Sequence, residues 1–193
     1  MRNDGGGGSA PGEAHAGDTR SQTQVSQQTE AQDGSRDAAG VDQSLTVLDA
    51  ALKYAAAGLP VFPCRNAPGK PGHKAPLTPH GYKDATIDAE KIKAWWAKNP
   101  GALIGLPTGA ITGIAVLDID VKNGKDGFAA VPGWEKMTTL RSHTASGGAH
   151  LFFRANQPIR CATGSDGVDV RGEGGYVIVP PSQGYSWADG AMP

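Results

Sequence analysis

The run "GIAVLDID" at residues 113–120 leads a short apolar stretch into two carboxylates separated by one isoleucine. Flanked by glycine-containing turns, an apolar run of this length reads as a buried β-strand rather than a helix. Side chains of a strand alternate in direction, so Asp118 and Asp120 share a face about 7 Å apart along the backbone. Two ionised carboxylates at that spacing repel by about 2 kcal/mol at an effective dielectric near 20. Asn or Ser would remove that repulsion, whereas a cation between the two acids turns it into attraction. Hard oxygen ligands suit Mg²⁺ or Mn²⁺, which keep open positions for phosphate oxygens. Two such ions about 4 Å apart fit a site of this width. Acid pairs of this kind also end many solvated strands, so the pair alone leaves both readings open.

Two further segments carry polar chemistry. "TASGGAH" (144–150) reads as the turn of a hairpin between "TTLRSHT" and "AHLFFRA". Gly147 and Gly148 let backbone amides approach a ligand without a Cβ in the way. Ser146 is a candidate donor to a phosphate oxygen. His150, at the head of "LFF", is a candidate ligand contact or a hydrogen-bonded core residue; His143 has no adjoining glycine turn and reads as structural. In "GVDVRGEGGYVIVPPS" (167–182), Asp169 and Arg171 again share one strand face. Arginine suits bidentate phosphate contact, and a plain surface ion pair explains the same spacing equally well.

The remaining pattern is mixed. Leu45, Leu48, Leu52 and Ala55 follow helical spacing, with Asp42 or Ser44 as N-cap and Gly58 as the stop. A short strand is expected at 59–63, then a loop over 64–83 rich in Pro, Gly and positive charge. A second helix starts at Asp88 and ends before Pro100, with Ile87 and Ile92 in the positions of a hydrophobic staple. Strands at 102–106 and 113–120 are joined by "PTGAITG". A loop and short helix broken by "VPG" occupy 121–137, and the hairpin and two further strands follow. This order predicts an α+β domain with a mixed or antiparallel sheet.

Composition separates a tail from this domain. The first 44 residues contain no Phe, Trp or Tyr, and their apolar content is almost all Ala. Such a segment buries too little surface to offset its ordering entropy. It is expected to be an acidic, disordered Gly/Ser/Gln-rich tail over residues 1–41, with the folded domain over 42–193. Residues 1–44 hold three of the 18 basic and seven of the 19 acidic residues, leaving a mildly basic remainder of 15 against 12. That balance is compatible with a polyanionic partner. Two cysteines without paired spacing argue against a disulfide scaffold and for a reducing compartment. With no signal-peptide order and no apolar run near 18 residues, a cytoplasmic location without membrane contact is expected.

Taken in order, "AVLDIDVKNG", "TASGGAHLFF" and "GVDVRGEGGYVIVPPS" resemble the bifunctional primase–polymerase family of phages and plasmids, within the archaeo-eukaryotic primase superfamily. The resemblance extends upstream to "GLPVFPCR", "KAPL", "GYKDAT", "WWAKNP" and "ALIGLPTG", covering roughly residues 45–187. It implies a primase-like (RRM-related) catalytic core acting in DNA replication as a DNA primase and polymerase. Template-directed nucleotidyl transfer by two ions of Mg²⁺ or Mn²⁺ is the implied reaction, with Asp118, Asp120 and Asp169 as metal ligands. His150, Ser146 and Arg171 would contact the nucleotide's phosphates, and Lys74 and Lys122 would add charge near the phosphates or template. Implied partners are a single-stranded DNA template, (deoxy)nucleoside triphosphates and a replicative helicase.

The chain departs from the family pattern in three ways, the first being a short stretch between Lys122 and the hairpin, where Pro132–Gly133 interrupts an expected helix. Ser146 stands two positions from the small residue, Gly148, of the usual histidine motif. The chain stops at Pro193, so a catalytic domain truncated at its C-terminus stays open. The rival reading is a catalytically inert single-strand-binding module that keeps the fold; a metal-dependent sugar transferase ranks behind both. Tyr82, Trp95 and Trp96 are candidate stacking groups for bases, although paired Trp at helical positions also read as core. Cys64, His73, His80 and Cys161 match no standard zinc spacing.

Overall fold

The computed structural model describes residues 45–164 and 166–188. The expected tail over 1–41 and the caps considered at Asp42 and Ser44 lie outside the described residues.

Helix α1 spans Val47–Ala56 and is capped by Thr46. The Thr46 hydroxyl accepts from the Asp49 amide at 3.1 Å, and the Asp49 carboxylate accepts the Thr46 amide in return. This reciprocal box satisfies two of the donors that a helix start leaves unpaired. Its buried face is Ala50, Ala51, Tyr54 and Ala55, and the three alanines allow close approach to the sheets. Helix α2 spans Ala89–Lys98, and Asp88 caps it through the amides of Glu90 and Lys91. Ile92 and Trp96 point into the core, but Ile87 stays 57% exposed, so the expected staple is not buried.

The described residues also form two short 3-10 helices, Gly81–Asp84 and Trp134–Lys136, and nine strands: β1 Phe62–Cys64, β2 Leu103–Pro107, β3 Ile114–Ile119, β4 Leu140–His143, β5 Ala149–Arg154, β6 Ala162–Thr163, β7 Val168–Arg171, β8 Tyr176–Val179 and β9 Ser186–Trp187. They form two sheets, β1-β2-β8 and β6-β7-β3-β5-β4-β9, whose strand pairs are all antiparallel. The protein is therefore α+β. The segment "PTGAITG" does not close a hairpin: β2 and β3 belong to different sheets, and the turn carries the chain from one to the other. The segment between β7 and β8 carries it back. No helix among the described residues is long and apolar enough to cross a membrane.

The main core lies where α1, α2, one face of each sheet and the side chains of Ile104, Val116, Phe152, Val177 and Val179 meet. Behind the large sheet, Ile119, Ala149 and Leu151 pack under Phe128, Val131, Trp134 and Met137. Phe62, Cys64, Leu103, Ile178 and Tyr185 fill the other side of the small sheet. Gly105 faces Phe62 in register there, and a Cβ would fall 2.6 Å from the phenyl ring, so β1 lies on β2 only because this residue lacks one.

Candidate active site

The site follows from strand register. Asp118 of β3 pairs with Asp169 of β7 on one side and with His150 of β5 on the other. His150 in turn opposes Ser142 of β4. Cross-strand partners share a face, so a polar row, Asp169–Asp118–His150–Ser142, crosses four strands. Two residues back along the same face, Val116 pairs with Phe152 in the main core. The face that packs against the helices thus turns polar within one repeat of the strand.

Asp120 follows β3 on this face. Asp118, Asp120 and Asp169 each offer a carboxylate oxygen, and these oxygens all lie within 4.8 Å of one another. All are hard donors, with no sulfur or imidazole among them, and a six-coordinate Mg²⁺ needs oxygens about 2.1 Å from the ion. Small side-chain rotations close that spread, so the set fits such a cation. Among the described residues this is the one cluster of three acidic, His or Cys side chains that could hold a metal ion. The four residues weighed for zinc are not brought together: Cys64 is buried in the core, His73 Nδ1 accepts the Ala67 amide, and His80 pairs with Asp84.

Cations surround the acids. Arg171 Nη2 donates to Asp118 at 3.1 Å and to Asp169 at 2.7 Å, and its Nε donates to Asp118. The spacing of Asp169 and Arg171 therefore serves a bridge to β3 as well as a local pair. Lys122 Nζ donates to Asp120 at 2.9 Å, and His150 Nε2 lies 3.4 Å from Asp118 Oδ1. Asp118 is only 9% exposed. Burial pushes its carboxyl upward, but the hydrogen bond to His150 and the charge and hydrogen bonds of Arg171 outweigh this and hold it below the usual carboxylate range.

These groups line a cleft of about 400 Å³, within the range of roughly 300–1,000 Å³ typical of small-ligand sites. Asp118, Asp120, Lys74, Lys122, Ser146, His150 and Arg171 all line it, and Arg171 joins Asp169 to the group. The hairpin can reach the end of β3 because Gly148 has no side chain: a Cβ there would sit 2.0 Å from the Ile119 carbonyl oxygen. Lys74 has φ of +67°, a conformation that costs a non-glycine residue on the order of 1 kcal/mol. Its backbone is pinned by Arg65 on one side and the Tyr176 hydroxyl on the other, and its ammonium lies 5.5 Å from the Tyr185 ring centre. Burial, then Lys122, lowers the Lys74 pKa, against the pull of Asp118 and Asp120.

Other expectations fare differently. Trp96 is 2% exposed in the main core, so it offers no face to a base, and Trp95 packs between two core clusters. Tyr82 packs against the core of the small sheet. His143 is exposed and does not line the cleft. Sequence reasoning missed Thr144 and Tyr185. Thr144 accepts the Gly148 amide and fixes the hairpin turn. Tyr185 forms an aromatic wall beside His150, with ring centres 5.9 Å apart, and burial followed by Asp118 pushes its hydroxyl up to about 12. No periodic signal marks Tyr185, because it follows the last long strand in an irregular segment.

A search of curated proteins returns no match. A family model described as bifunctional DNA primase/polymerase, N-terminal, matches residues 51–193. The strands that carry the carboxylates, the histidine and the arginine all fall inside that span, and the chain belongs to the bifunctional DNA primase/polymerase family, as a member of its N-terminal domain.

Proposed function

We propose that this domain performs template-directed nucleotidyl transfer on DNA, as primase and polymerase, with two ions of Mg²⁺ or Mn²⁺ held by Asp118, Asp120 and Asp169. The observation that carries the reading is the meeting of three carboxylates from two strands with five phosphate-directed side chains in one cleft. When bound, the ions lower the pKa of the attacking hydroxyl and neutralise charge on the departing pyrophosphate.

The chain's own residues bind and orient. Arg171 Nη1 makes no hydrogen bond among the described residues, so its two N–H groups are available to phosphate oxygens while Nη2 holds the two aspartates. His150 presents Nε2, Ser146 its exposed hydroxyl, and Lys74 and Lys122 their ammonium groups to the same volume. Orienting a triphosphate in this way removes much of the entropic cost of reaction, and donors fixed in advance stabilise charge as it develops. The Tyr185 hydroxyl keeps its proton at neutral pH and adds a donor at the wall of the cleft.

The substrates on this reading are a single-stranded template and nucleoside triphosphates. Its setting is phage, plasmid or mobile-element replication in the cytoplasm, beside a replicative helicase, with residues 42–193 as the catalytic domain behind an acidic tail. Retention of all three carboxylates, with cations that hold them in place, favours an enzyme over an inert binding module. The test is incubation with single-stranded DNA, with and without primer, labelled nucleotides and Mg²⁺ or Mn²⁺. Metal-dependent product that vanishes in Asp118→Ala and Asp120→Ala is expected. Tight single-strand binding without product, unchanged by both substitutions, would overturn the reading.

A further inference from the structure

The polar row ends in two buried atoms that lack partners. His150 is 4% exposed and Ser142 0%. His150 Nδ1 and Ser142 Oγ are both enclosed with no hydrogen bond among the described residues. Native structures rarely leave such groups unpaired, because each forfeits its bonds to water. The two residues face each other directly across β4 and β5. Directly opposed side chains have Cβ atoms about 4.5–5.5 Å apart, so a rotation of the Ser142 side chain about its Cα–Cβ bond, or one buried water, joins the two atoms.

Trp187, opposite Ser142 on β9, also carries a buried Nε1 with no hydrogen bond among the described residues, and this donor lies beside the Tyr54 hydroxyl rather than the imidazole. The imidazole sits between Phe152 and Tyr185, with ring centres at 6.1 and 5.9 Å. The nearby Thr144 hydroxyl is already taken by the Gly148 amide and Ser146. On the far side of the ring, Nε2 faces the Asp118 carboxylate, which is an acceptor only. That contact calls for a proton on Nε2, and in the neutral ring this makes Nδ1 the acceptor. The serine hydroxyl is the donor that tautomer requires.

We infer that Ser142 is a positioning residue: its hydroxyl, directly or through one buried water, holds Nδ1 of His150 as an acceptor and so keeps the Nε2 proton aimed at Asp118 and the cleft. Ser142 never touches substrate; it acts through the histidine. Its functional consequence rests on the nucleotidyl-transfer reading, while the tautomer itself does not.

The experiment is long-range ¹H–¹⁵N NMR on the full chain with labelled histidine, the His150 signals being assigned with His150→Gln. Wild type is expected to show His150 as the Nε2–H tautomer with a hydrogen-bonded Nδ1. Ser142→Ala is expected to move both nitrogens toward an averaged tautomer, and Ser142→Thr, which keeps the hydroxyl, to restore them. Unchanged ring-nitrogen shifts in folded Ser142→Ala would overturn the inference. Should the alanine chain not fold, a wild-type Nδ1–H tautomer would overturn it equally.

Kinetics add a second arm where extension is observed. Ser142→Ala is expected to raise the nucleotide KM by about two- to tenfold, the size of one lost hydrogen bond, with kcat little changed. The same substitution in a His150→Gln background is expected to add nothing. An equal loss in both backgrounds would mark Ser142 as packing alone. If no extension is detected at all, the NMR result decides the inference without it.

Discussion

Val116–Phe152 and Asp118–His150 are neighbouring cross-strand pairs on one face of one sheet, yet they serve opposite ends. The first pair is sealed in the main core with both helices. The second opens on the cleft and is held by Arg171 and the flanking strands. Each strand alternates inward and outward residues alike at both ends, so the backbone does not distinguish them. What differs is the covering: α1 and α2 close one end, and the irregular segments that carry Lys74, Ser146 and Tyr185 line the other. A rigid core two residues away gives the carboxylates a fixed base, as precise metal or phosphate geometry requires.

Substitutions on either side of this boundary separate fold from chemistry. Asp118→Asn keeps the shape and removes the charge, and is expected to lower metal-dependent extension by about 10³-fold while the chain remains folded by circular dichroism. Phe152→Ala strikes the closed end; a loss of about 3 kcal/mol is expected in urea unfolding, with metal binding retained in the folded fraction. Arg171→Lys preserves charge but cannot bridge Asp118 and Asp169 from one planar group. A rise of about tenfold in nucleotide KM is expected, as for loss of a charge-assisted hydrogen bond.

The smallest effect contrasts the two thiols. Cys161 is exposed at the cleft, whereas burial pushes the Cys64 thiol from 9.0 up to about 12. One thiol is expected to react quickly with a disulfide reagent in the native protein and the second only on unfolding. Because the folded-state value of Cys64 is raised, its contribution to stability holds below pH 9 and falls away as pH climbs toward 12. Unfolding midpoints measured across that range check the sign.

Much of this arrangement was legible in the sequence. The acid pair, the glycine hairpin and the Asp–Arg strand each carried a local signal, and the cap at Asp88 followed from helix-start chemistry. Register was not legible, because nothing local in "GVDVRG" says that Asp169 lies opposite Asp118. The division into two sheets was hidden for a related reason: β2 and β8 are nearly continuous apolar runs, which pair equally well in several orders. The start of α1 was misjudged because Thr46 and Asp49 form a capping box inside the apolar pattern rather than ahead of it. Trp96 satisfied helical periodicity as a core residue, and that reading prevails over a stacking role.

The central claim is that pairing of β7 with β3 brings Asp169 into a shared cation site with Asp118 and Asp120. Titration of the protein with Mn²⁺, followed by the electron paramagnetic resonance signal of free Mn²⁺, tests this in wild type and Asp169→Asn. The account predicts saturable binding in wild type and at least about tenfold weaker binding in the variant. Equal Mn²⁺ affinity in wild type and a folded Asp169→Asn would contradict it.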